Sequence, residues 1–67
     1  MAEKEFQVQY FDADGCLMDA PLYTTRQEAN EEAHGNIMMG RYLRAEVWEH
    51  IKRTTIIVGE PEVINHK

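Results

Sequence analysis

The chain has 67 residues, 43% hydrophobic and 28% charged, with a formal charge of −5. One cysteine, Cys16, excludes an internal disulfide, and its spacing from His34, His50 and His66 matches no zinc pattern. No apolar run approaches the ~20 residues of a membrane span, and the acidic balance opposes binding through phosphate neutralisation.

A chain of this length is one domain that buries roughly 60% of its unfolded surface. Such a core rarely supplies more than about 3–5 kcal/mol. With no disulfide or metal expected, self-association is the remaining common support. The N-terminal stretch MAEKEFQVQ has no apolar signal-peptide core, so a cytoplasmic location is expected. The charge is uneven: residues 1–32 carry −6 and residues 33–67 carry +1. That asymmetry speaks for solubility and little else.

In chain order, residues 5–11 alternate, with Phe6, Val8 and Tyr10 on one face and Glu5, Gln7, Gln9 and Phe11 on the other. Asp12, Asp14 and Gly15 then give turn chemistry. A second strand is expected from Cys16 to about Tyr23, with Met18, Ala20 and Leu22 inward and Leu17, Asp19 and Tyr23 outward. Pro21 cannot donate to a ladder, which places this strand at an edge or breaks it.

Residues 24–40 form the only segment with a helical period. Thr25 to Glu28 has the form of a capping box, and Glu28, Glu31 and Glu32 suit the positive end of the helix. Ala29, Ala33 and Ile37 recur as one narrow apolar stripe. Gly35 and Gly40 are both possible stops. Gly40 is favoured, because a stop at Gly35 would take Ile37 off the stripe, and a helix that continues leaves Met38 exposed.

Residues 42–48 alternate again, with Leu43, Ala45 and Val47 inward and Tyr42, Arg44, Glu46 and Trp48 outward. Residues 54–58 are rich in β-branched types and read as strand, either a hairpin partner or a continuation of the strand before. Residues 59–67 are expected to form a flexible tail after a domain spanning 1–58. The fold class is α+β: a β-β-α-β(-β) antiparallel sheet of three to four strands with one helix on one face.

Few residues suggest chemistry. Asp12, Asp14 and Gly15 open like a calcium loop but lack the remaining ligands, so a hairpin turn is the better reading. The chain has no serine, no two histidines form an i, i+4 pair, and Cys16 reads as a small buried hydrophobe. A Cys16–His34 dyad lacks an orienting group, and so short a chain has little room for a deep pocket. No enzyme activity, cofactor or small-molecule substrate is expected.

The sharper signal is the sheet face away from the helix, where alternation directs Phe11, Tyr23, Tyr42 and Trp48, with Leu17. Such aromatics serve as cross-strand pairs, as a self-association surface or as anchors on a partner protein. The expected contact residues are Tyr42, Arg44 and Trp48, then Phe11, Tyr23 and Met38. A single-stranded nucleic-acid reading through sheet aromatics with Arg44, Lys52 and Arg53 is the alternative. Glu46 and Glu49 interrupt that basic patch. The layout resembles that of many small phage and mobile-element proteins, some of which bind and inhibit host machinery. That resemblance is architectural and implies no particular residues.

Overall fold

The computed structural model describes residues 3–65. Its elements are β1 (Lys4–Phe11), β2 (Leu17–Asp19), β3 (Leu22–Tyr23), α1 (Arg26–Met38), β4 (Arg44–Ile51) and β5 (Glu62–Asn65). The strands make one antiparallel five-stranded sheet in the order β2-β1-β4-β5, with β3 also paired to β1. The helix packs on one face of it, giving the expected α+β architecture. Among the described residues, no helix is long and apolar enough to cross a membrane.

The centre of the sheet is the β1–β4 pair, eight residues long, in which Val8 lies opposite Val47 and Tyr10 opposite Ala45. Alternation sends Phe6, Val8, Tyr10, Ala45, Val47 and Ile64 toward the helix, which returns Ala29, Ala33 and Ile37. These nine residues are the buried core. Both alanines are fully buried, so their small size lets the helix lie close on the strands.

The helix ends follow local chemistry. Thr25 is extended (φ −129°, ψ 150°) and its side chain accepts from the Glu28 N–H, the forward half of the capping box. At the other end, the Gly40 N–H donates to Ile37 and the Arg41 N–H donates to Asn36. With Gly40 at φ 76°, this is a Schellman motif, and it places the stop at Gly40. Gly35 lies inside the helix. Met38 is 81% exposed, as expected.

The Asp12 turn is held by its own carboxylate, which accepts from the Asp14 and Cys16 N–H groups. Gly15 supplies the left-handed backbone at φ 79°. That is an Asx-type hairpin turn.

Four expectations need correction. The single strand over residues 16–23 is two short ones, broken around Pro21, whose carbonyl accepts from the Val8 N–H. The break and a bulge at Tyr10/Phe11 reset the alternation. Met18 and Leu22 are therefore exposed, at 57% and 55%. Tyr23, opposite Phe6, packs on the core instead of facing outward.

Tyr42 also turns inward. β4 begins only at Arg44, so strand alternation does not govern residues 41–43. The Tyr42 ring stacks on Tyr10 with centroids 4.4 Å apart, while Leu43 is exposed.

Residues 54–58 return from β4 as a hairpin with one isolated bridge, His50 to Ile57, rather than a regular strand. The expected tail, finally, enters the sheet over residues 62–65, where Ile64 lies buried opposite Ala45. Ile57 and Glu62 are five positions apart while their partners His50 and Val47 are three apart. The two surplus residues fall in the stretch 58–61 between these pairings, which includes Pro61 with no N–H to pair. His66 and Lys67 lie outside the described residues.

Candidate functional site

The helix-free face is a grid set by strand register. Phe11 lies beside Arg44 with Asn65 beyond; Gln9 beside Glu46 with Val63 beyond; Gln7 between Leu22 and Trp48; Glu5 beside His50 with Ile57 beyond. No layer of the described chain covers this face.

Four of these side chains form a continuous string. The Arg44 guanidinium lies over the Phe11 ring, 4.5 Å from its centroid. Arg44 also donates to Glu46 Oε2 at 2.6 Å, and the Trp48 indole N–H donates to Glu46 Oε1 at 3.1 Å. The Glu46 carboxylate thus fixes Arg44 and Trp48 from one side each. Arg44 Nε is shielded and has no acceptor among the described residues.

Next to the string, Gln9 Nε2 donates to Gln7 Oε1 at 3.1 Å. Trp48, Leu22, Ile57, Gln7, Gln9, His50, Thr54 and Thr55 line an open cleft of about 350 Å³. It carries no carboxylate and no permanent cation.

The expected site residues therefore divide. Phe11, Arg44 and Trp48 are brought together. Tyr23 and Tyr42 are on the core side, and Met38 sits at the end of α1 beside β5. Under the helix, Tyr10 accepts from Asn36 Nδ2 at 2.9 Å. Burial raises the pKa of Tyr10, and burial, then the neighbouring Tyr10, push Tyr23 up to about 12. These tyrosines are structural.

Sequence reasoning missed Leu22 and Ile57, which widen the apolar part of the face. Pro21 was the available signal for Leu22, since a broken strand need not keep its phase. Ile57 had none, because its pairing depends on the long return of residues 54–65 along β4.

A second polar cluster lies on the helix side. Glu49 pairs with Lys4 at 3.2 Å and with Arg26. The Arg26 hydrogen bond, first, and Lys4 hold its carboxyl below the ordinary value, against some opposing desolvation. Arg26 also lies over the Phe6 ring at 5.1 Å, tying the start of α1 to the sheet. Compared with known proteins, the chain matches no family model, no curated protein and no solved structure.

Proposed function

We propose that this chain is a non-catalytic protein-binding domain that docks through the helix-free face of its sheet, on a second copy of itself or on a different protein. The observation that carries the reading is the Phe11–Arg44–Glu46–Trp48 string on an uncovered face. Trp and Arg are frequent interface anchors, and anchors held before binding lose less entropy on docking. Leu17, Leu22 and Ile57 extend the apolar area around them. Gln7, Gln9 and Thr55 supply neutral hydrogen-bonding groups at its centre. The likeness of the layout to small phage and mobile-element proteins fits a domain that acts by occupying a partner's surface. A cytoplasmic setting suits its lone cysteine, Cys16, which is exposed rather than buried as expected.

The nucleic-acid alternative has less support. Arg44 is engaged by Glu46 and Lys52 by Glu3, so two of the three cations that reading relies on, with Arg53 the third, are already partnered by carboxylates.

The test is site-specific photo-crosslinking in cells that make the protein. A photoreactive residue at Leu22 or Ile57 is expected to capture a protein, and Trp48→Ala or Arg44→Ala should abolish that capture. The same probe at Glu31, on the exposed side of α1, should capture nothing that depends on Trp48. Equal capture from both positions would contradict the reading.

A further inference from the structure

On the opposite side of the sheet from Trp48, α1 and β5 border a groove of about 590 Å³. Its helix wall is His34, Ile37 and Met38, and its floor is β5. β5 ends the strand order, so one of its backbone edges has no partner among the described residues. Open edge N–H and C=O groups recognise one kind of ligand well, another extended backbone. The groove adds apolar surface along that edge, which the exposed Met38 supplies above the buried Ile37 and Ile64.

The charge at this edge restricts the occupant. Glu62 and Ile64 share the helix side of β5, being opposite Val47 and Ala45. Glu60 and Pro61 lie just before. Acidic residues and proline at an edge discourage pairing with a like strand, and a second copy of this acidic chain would bring its own Glu60 and Glu62 to the contact. The same carboxylates attract a cationic strand.

We propose that the α1–β5 groove takes an extended segment of a partner protein as an added strand. Apolar residues on the helix side of that segment meet Met38, and a lysine or arginine meets Glu62. This site is separate from the Trp48 face and does not depend on it.

Two capped peptides of alternating valine and threonine test this, one with lysine at a helix-side position and one with glutamate there. Each is titrated into the isotope-labelled full chain and followed by amide NMR. The lysine peptide should shift amides of residues 34–38 and 62–65 and slow hydrogen exchange in β5. It should bind about tenfold more tightly than the glutamate peptide, a preference that added salt weakens. Glu62→Lys should reverse that order. Met38→Gln, at a side chain that projects into water, removes the apolar contact without adding charge and should weaken both peptides while leaving the spectrum folded.

The proposal is overturned if neither peptide binds, if the shifts fall on Leu22 and Trp48 instead, or if Glu62→Lys leaves the order unchanged. It is equally overturned if β5 amides become protected with rising protein concentration alone, since a second copy then fills the groove.

Discussion

Gly35 and Gly40 are five residues apart, and the helix gives them opposite predictions. A Cβ at Gly35 meets nothing within 4 Å and lies mid-helix, so Gly35→Ala should stabilise the fold by about 1 kcal/mol. Gly40 also has open space, but its φ of 76° is left-handed, and Gly40→Ala should cost about 1–2 kcal/mol. Denaturant midpoints of the two variants check both signs. Tyr23 carries a prediction of a different kind. Its hydroxyl keeps its proton to about pH 12 in the folded chain but only to about 10 when unfolded. A raised folded pKa means stability that is complete below pH 10 and drains away as pH rises through 12. Tyr23→Phe should therefore make the fold less sensitive to alkali over that interval. A tyrosinate absorbance titration should show one late-titrating tyrosine lost, with Tyr10 still raised. An unchanged profile would put Tyr23 back in water.

At the level of elements, β5 is where the structure departs most from the sequence pattern. Ile64→Ala should cost about 2–4 kcal/mol, because it empties a buried position opposite Ala45. Val63→Ala, next along the strand but half exposed, should cost under about 1 kcal/mol. Equal, small effects in thermal unfolding would return residues 62–65 to the status of a tail. Long regular elements were legible: β1 shows its faces over eight residues, and the Ala29–Ala33–Ile37 stripe fixes both the register of α1 and the stop at Gly40. What failed was alternation carried across irregular backbone. Pro21 inverted Leu22 and Tyr23, and the non-strand residues before Arg44 let Tyr42 rotate onto Tyr10. β5 is too short and too punctuated by Gly59 and Pro61 to announce itself. Its strand state comes from pairing with β4, a non-local contact that no local pattern encodes. The candidate site was half legible for the same reason: Phe11, Arg44 and Trp48 lie in the regular β1–β4 pair, whereas Tyr23 lies in the two-residue β3 after Pro21 and Tyr42 lies before β4 begins.

Across the whole molecule, the two faces of the sheet have different work. The helix side is closed by apolar packing and clamped at one end by Glu49 with Lys4 and Arg26, which joins β1, β4 and α1. Because the Glu49 pKa is lowered in the folded chain, the clamp contributes fully above about pH 4.5 and is lost as pH falls through the lower folded value. Glu49→Gln should be less stable at neutral pH and show a shallower loss on acidification, measured as denaturant midpoints across a pH series. The other side is uncovered and carries Trp48, the only tryptophan in the chain. That makes one measurement decisive. With fluorotryptophan incorporated at Trp48, its fluorine resonance reports water contact through the shift between light and heavy water. In the free chain the half-buried ring should show a clear solvent shift, and in the complex captured through Leu22 that shift should vanish. An unchanged solvent shift in the complex would mean that the partner, whatever it is, does not sit on this face.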